Sequence, residues 1–255
     1  MSQKAPQPSP RKKTPRETRA AGPRTLAIDI GGSGLKALVL GPEGKALEER
    51  RRVKTPQPAT PKAVLSAIKK LIKPLGEFDR VSVGFPGVVQ EGVTMTAHNL
   101  HPEWEGFDLE KALKEHTGRP VRVLNDAGVQ GFGVIEGKGV EMVITLGTGM
   151  GCALYVDGKY VPNLELAHHP LHGKKTYEEF VGNAALEKVG PKKWKKHVEK
   201  VLAQIQPIWN PRQIYLGGGN ARLIDFKLPA NVKVTENIAG LLGGFALWKD
   251  EARQE

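Results

Sequence analysis

The sequence predicts an α/β protein. Short apolar strands alternate with segments of helical spacing. A strand–glycine turn–strand–turn–strand unit occurs once in each half of the chain. Three strands run into glycine-rich turns, where backbone N–H groups can approach an anion without Cβ obstruction.

In chain order, 25–30 (TLAIDI) reads as a strand that enters Gly31-Gly32-Ser33-Gly34. Residues 35–40 form a second strand, 41–44 (GPEG) has turn chemistry, and 45–53 reads as a third strand. Connections this tight make the three antiparallel neighbours. Apolar residues at Val64, Leu65, Ile68, Leu71 and Ile72 predict a helix over 61–75. Residues 80–85 are a buried strand closed by Pro86-Gly87, 108–116 a helix, 121–124 a strand and 127–135 a helix.

The second half repeats the grammar. Strands at 141–146 and 152–156 flank the glycine turn 147–151, and Asp157-Gly158 is a hairpin turn before a strand starting at Lys159. Placing Asp29 over Thr145 brings Gly31 onto Gly147, Ala37 onto Ala153 and Leu38 onto Leu154. Two such units facing each other set two glycine hairpins on opposite walls of one cleft. Helices are predicted over 177–189 and 193–206, a strand over 213–216 ending in Gly217-Gly218-Gly219, and a last apolar helix over 237–248.

A chain of 255 residues is one large domain or two small ones, and it can bury a core without staples. Apolar residues make up 39% and charged residues 25%, a globular composition. No apolar run is long enough for a membrane span, and no secretory signal is expected. Cys152 is the only cysteine, which excludes an intramolecular disulfide or two-thiol motif and favours a reducing, cytoplasmic location. The formal charge is +11, and residues 1–24 hold seven basic residues, one acidic residue and five prolines. This tail is expected to be disordered. It either solubilises the chain or holds a polyanion, nucleic acid included.

The glycine turns are expected to hold phosphates, with Ser33, Thr148 and Lys36 adding donors. The chain has neither G-x-x-x-x-G-K-[ST] nor a helix-opening G-x-G-x-x-G, which disfavours the usual P-loop and dinucleotide readings. Asp29, at a strand end beside the first turn, is either a magnesium-positioning carboxylate or a turn cap. Asp126 is either a helix N-cap or a general base that accepts a proton from an attacking hydroxyl. Asn99, Glu165 and His168 are the group types that hold sugar hydroxyls. His168, His169 and His172 lack the cysteine and carboxylate partners of a structural zinc site. Lys188, Lys192, Lys193, Lys195, Lys196 and Lys200 make either a solvated face or a polyanion track; aromatic residues for base stacking are few.

Together these segments resemble the ROK family of sugar kinases in the actin-like ATPase superfamily, and within it the polyphosphate glucokinase branch. The resemblance rests on AIDIGGSGLKA from Ala27, VGFPGVV from Val83, AHNL from Ala97 with Trp104 after it, VRVLNDA from Val121, ITLGTGMGCAL from Ile144, GKYVPNLELAH from Gly158, YLGGGN from Tyr215 and the closing AGLLGGFALW. It implies a two-lobed ribonuclease H-like fold with a duplicated βββαβα unit around a central cleft. The implied organisation is a basic tail over 1–24, a small lobe over 25–126, a large lobe over 127–236 and a C-terminal helix over 237–250 packing back on the small lobe.

The resemblance also implies roles. Asp126 is the base that takes the proton of the sugar 6-hydroxyl. Asn99, Asn125, Glu165, His168 and Glu178 hold the sugar. Gly31, Gly32, Ser33, Gly34 and Lys36, with Thr145, Gly147, Thr148 and Gly149, hold the donor phosphates. Gly217, Gly218 and Gly219 line the nucleotide or outer-phosphate region, and Asp29 positions Mg²⁺, through water. The implied reaction moves a phosphoryl group from polyphosphate, or from ATP, onto glucose or a similar hexose. A strictly ATP-dependent hexose kinase and a non-catalytic sugar or polyphosphate sensor are the alternatives. No membrane partner is expected, nucleic acid only through the tail, and relatives suggest a homodimer. Two features depart from the family pattern: Ala167 replaces the glycine of its E-x-G-H sugar motif, and its multi-cysteine zinc motif is absent. No helix-turn-helix precedes the domain, unlike the family's repressors.

Overall fold

The structure, a computed structural model, describes residues 22–97, 100–235 and 239–249. Asn99, most of the basic tail and the first residues of the expected last helix lie outside the described residues.

The first half forms β1 (Thr25–Ile30), β2 (Leu35–Leu40), β3 (Arg51–Val53), α1 (Pro61–Ile72), β4 (Arg80–Phe85), the short strands β5 (Val89–Gln90), β6 (Val93–Thr94) and β7 (Phe107–Asp108), α2 (Leu109–Thr117) and β8 (Val121–Asn125). The Thr60 side chain caps α1 by accepting from the Ala63 N–H, and Pro61 occupies its first turn. Val64, Ile68, Leu71 and Ile72 are buried against the sheet. The helix stops short of the expected Leu75, because Pro74 has no N–H to extend the ladder. The third strand is also shorter than expected. Ala46 makes one bridge to Leu40, the chain then leaves the ladder, and Glu48 turns aside to accept from the Gly76 N–H. Pairing resumes only at Arg51.

α3 (Asp126–Gly131) leads into the second half: β9 (Val140–Leu146), β10 (Met150–Val156), β11 (Lys159–Val161), the small hairpin β12 (Pro170–His172) and β13 (Lys175–Thr176), α4 (Tyr177–Val181), α5 (Asn183–Trp209), β14 (Gln213–Gly217), β15 (Val232–Val234) and α6 (Ala239–Ala246). The β10–β11 turn, Asp157-Gly158, has positive φ at both residues, as a type I′ hairpin needs.

Duplication is explicit in the sheets. One has the order β3-β2-β1-β4-β8, the other β11-β10-β9-β14-β15, and both run antiparallel, antiparallel, parallel, parallel. The overlay of Asp29 on Thr145 holds for β1 and β9 and then slips by one. Asp29 pairs with Lys36 while Thr145 pairs with Gly151, so the counterpart of Ala37 is Cys152, not Ala153. The second glycine turn is one residue shorter.

Each sheet has its own apolar core, one built from Leu26, Ile28, Val64, Val83 and Trp104, the other from Ile144, Trp194, Val198, Leu202 and Leu216. α6 packs on β1, β4 and α3. A side chain on Gly243 would collide with the Val129 carbonyl at 1.8 Å, so the two helices approach backbone to backbone. Ser82 donates to the Gly244 carbonyl at 2.6 Å, the Trp248 indole donates to Ser82, and Arg80 and Arg122 stack on Trp248.

The helix expected over 177–189 breaks at Gly182, which is extended (φ −68, ψ 169). This jog lets the Asn183 N–H reach the Thr148 carbonyl at 3.1 Å, which ties α5 to the second glycine turn. The expected break before 193 is a kink at Gly190 (φ 75), ahead of Pro191. α3 ends at Gly131, short of the expected Ile135, where the Tyr155 ring occupies the space beside that glycine. Among the described residues no helix is long and apolar enough to cross a membrane.

Candidate active site

The two glycine turns stand at equivalent ends of the two sheets and face each other across a cavity of about 540 Å³. Each closes on itself: the Gly31 N–H donates to the Gly34 carbonyl at 3.1 Å, the Gly147 N–H to the Gly149 carbonyl at 3.0 Å. Their tips meet, with the Ser33 and Thr148 hydroxyls 3.3 Å apart. Gly31, Gly32, Ser33, Gly34, Gly147, Thr148 and Gly149 all line the cavity. A Cβ on Gly149 would sit 1.9 Å from Glu178 Oε2, so a side chain there would push that carboxylate aside.

Asp126 stands on the wall between the turns, in the first turn of α3. The cap of that helix is Asn125, whose Oδ1 accepts from the Ala127 and Gly128 N–H groups at 3.0 and 3.2 Å. Asp126 Oδ1 accepts from its neighbour Ala127 at 2.8 Å, and among the described residues Oδ2 has no hydrogen-bond donor. Close approach of α3 to β4 is possible because Gly84 carries no side chain; a Cβ there would lie 3.2 Å from the Asp126 Cα. Burial, then the Asp29 charge, raises the Asp126 pKa to about 7. The Ala127 N–H and Lys36 pull the other way, and Glu165 adds to the rise.

Asp29 is the next-to-last residue of β1 and pairs with Lys36 Nζ at 2.6 Å. Glu165 and His168 also line the cavity, 3.4 Å apart, with Ala167 between them in sequence and buried. Glu178 accepts from the Met150 N–H at 3.1 Å, so it braces the second glycine turn and also lines the cavity. Thr145 lines it with its hydroxyl accepting from the Gly151 N–H at 3.1 Å. Asn125 lines it too, but its side chain is spent on the helix cap and on the Gly87 carbonyl at 3.2 Å. Its amide nitrogen carries a second N–H beyond the one given to Gly87.

Gly218 and Gly219 reach the cavity; Gly217 does not, being the buried end of β14 beside Gln130 and Thr235. Gly218 needs its positive φ of 85°, and a Cβ would strike the Leu146 carbonyl at 2.3 Å. The lysines of α5 lie away from this cavity: Lys195 pairs with Asp225, Lys200 sits over the Phe180 ring, and the others are exposed. Among the described residues no three His, Cys, Asp or Glu side chains gather closely enough to cage a metal. Cys152 is buried and its thiol pKa is pushed up to about 12, which keeps it unreactive.

Sequence reasoning missed Arg50, Arg52, Gln130, Asn183 and Asn220, all on the cavity wall. For Arg52 a signal existed, the basic run 50–52 on a predicted strand, but its direction depends on strand register.

Comparison with known proteins agrees with this geometry. The model of the ROK family matches residues 25–165. A polyphosphate glucokinase of Mycobacterium tuberculosis (strain CDC 1551 / Oshkosh) is 34% identical over 237 residues, 86% of this chain and 88% of that protein. One from Mycobacterium leprae is 31% identical over 256 residues, 92% and 78% of the two chains. The crystal structure of an inorganic polyphosphate/ATP-glucomannokinase from Arthrobacter sp. strain KM superposes with a TM-score of 0.81 at 33% identity, covering 89% of this chain and all of that one. A ROK family glucokinase from Streptomyces griseus, at 20% identity and a TM-score of 0.73, shares the fold. The paired sheets are therefore the two lobes of an actin-like ATPase fold, and the chain belongs to the ROK family.

Proposed function

We propose that the protein is a polyphosphate-dependent glucokinase that phosphorylates the 6-hydroxyl of glucose. One observation carries the reading: a carboxylate with a pKa of about 7 faces the same cavity as two glycine turns whose tips touch. The names of the relatives support donor and sugar.

Glu165 and His168, joined by Asn99, hold the sugar so that its 6-hydroxyl donates to Asp126. As the hydroxyl oxygen attacks the terminal phosphorus, its proton passes to Asp126. The bond from that phosphorus to the bridging oxygen breaks, and the shortened chain leaves with the electron pair. Backbone N–H groups of the turns, with Ser33, Thr148 and Lys36, hold the phosphate oxygens. A base with a pKa near neutrality suits this work, because about half of it is ionised at pH 7 and the ionised half readily takes up a proton.

The site fits magnesium. Asp29 and Asp126 present hard oxygen ligands close enough for the charge of one to raise the pKa of the other, and Mg²⁺ is ordinarily held by one or two carboxylates plus donor phosphates. Asp29 would hold it, and the ion would neutralise charge on the phosphates being separated. Closure of the lobes excludes water that would otherwise hydrolyse the donor.

ATP is the second donor, supported by the wall of Gly218, Gly219 and Asn220, which offers backbone and an amide to an uncharged nucleoside. The test is glucose 6-phosphate formation with polyphosphate and ATP supplied separately. Turnover with polyphosphate is expected. Turnover with ATP alone would leave an ATP-dependent hexose kinase, and tight binding with no sugar phosphate from either donor would leave a sensor.

A further inference from the structure

The first lobe's sheet carries a row of residues that points away from the acceptor. Gly84, Asp29, Lys36 and Arg52 are successive cross-strand partners on β4, β1, β2 and β3. Side chains paired in this way share a face. Asp126 stands over Gly84, at the β8 end of the row. Gly84 is on β4, so Asp126 and Arg52 are separated by three strand steps, about 14 Å at the usual spacing.

Charge along the row is uneven. Lys36 is neutralised by Asp29 at 2.6 Å. Among the described residues no carboxylate pairs with Arg50, Arg51 or Arg52, and all three are exposed. The Arg52 guanidinium lies against the first phosphate turn, where a Cβ on Gly34 would meet its Nε at 2.9 Å. Arg50 and Arg52 line the main cavity and also an adjoining depression of about 570 Å³, to which Arg51 and Lys70 add charge. Glu48 and Glu49 rim that depression; the Glu48 carboxylate is engaged by the Gly76 N–H. β3 is the edge of its sheet, so nothing in the sheet blocks the way out.

We propose that Arg50 and Arg52 form an exit rail for the distal phosphates of a long polyphosphate donor and so set a preference for chain length. The inference rests on the donor reading above and extends it. A donor whose reacting phosphate lies at Asp126 reaches Arg52 only if further phosphates follow it. Tripolyphosphate and ATP, with two phosphates behind the reacting one, reach no further than the first glycine turn, where Arg52 meets them; only a longer chain continues to Arg50, two residues farther from the turn along the sheet edge. Adenosine lies toward Gly219, off the rail. The α5 lysines are the competing track, and they lie off the cavity.

The test compares full-length wild type, the R50Q/R52Q double variant and a K192Q/K193Q control that removes the same charge from the exposed side of α5. KM and kcat are measured with glucose and three donors: tripolyphosphate, long-chain polyphosphate and ATP. R50Q/R52Q is expected to raise the KM for long chains about tenfold and that for tripolyphosphate and ATP by about threefold at most, and to flatten the dependence of the long-chain KM on salt. K192Q/K193Q is expected to behave as wild type. Equal losses on all donors, no loss on long chains, or the same loss in K192Q/K193Q would overturn the rail while leaving the donor reading intact. Wild-type turnover on ATP with none on any polyphosphate would overturn both.

Discussion

Replacing Asp126 by asparagine should make the protein more stable and nearly inactive. In the folded chain, burial and the Asp29 charge lift the Asp126 carboxyl from its ordinary 3.8 to about 7. A raised carboxyl pKa means that folding opposes ionisation. Below pH 3.8 the group is neutral in both states and costs nothing. As pH rises toward 7 the unfolded chain ionises it and the folded chain does not, so stability is lost; above 7 the full cost is present. At about 1.4 kcal/mol per unit the shift corresponds to roughly 4 kcal/mol, and water in the open cavity reduces this to about 2 kcal/mol. Asparagine keeps the acceptor that meets the Ala127 N–H and carries no charge. Thermal melts at pH 8 should therefore place Asp126→Asn about 4–8 °C above wild type, and the gap should close as pH falls toward 4. Turnover in the same variant should fall by about 10²–10⁴-fold. A variant no more stable than wild type at pH 8, or a gap that ignores pH, would refute the reasoning about the site's electrostatics.

Other outcomes follow from the same geometry. In wild type, kcat/KM should rise across pH 7 as Asp126 loses its proton; Lys36→Gln removes a charge that lowers this pKa, so the rise should move to higher pH. Gly149→Ala pushes the Glu178 carboxylate off the Met150 N–H that it braces, and the kinetic readout is a donor KM raised by about tenfold with the fold intact by circular dichroism. Buried Glu141 is raised by burial, but the Glu136, Lys138 and Gly137 N–H groups and the Tyr215 hydroxyl outweigh this and hold its pKa low. Glu141→Gln should cost about 2–4 kcal/mol in denaturant melts at pH 7, with the difference shrinking as acid protonates the wild-type carboxylate.

What the sequence disclosed is what local chemistry dictates. Glycine turns at strand ends announce themselves, since a run of glycines leaves the backbone N–H groups open to an anion. The repeated strand order followed from them. Asp126 was legible as either cap or base, and the structure gives the cap to Asn125, which accepts from Ala127 and Gly128. Features that depend on distant partners stayed hidden. The break at Gly182 serves a bond from Asn183 to Thr148, and no periodicity records it. Glu48 leaves its strand for Gly76. Arg52 joins the cavity because it is in register with Lys36, and the slip between the two hairpins appears only in the paired strands.

The most direct test of the account is where the sugar lies. In a crystal structure of the protein with glucose, the 6-hydroxyl oxygen is expected within about 2.6–3.2 Å of an Asp126 carboxylate oxygen, facing the gap between Ser33 and Thr148. Glucose bound elsewhere, or bound in the cavity with that hydroxyl turned away from Asp126, would contradict it.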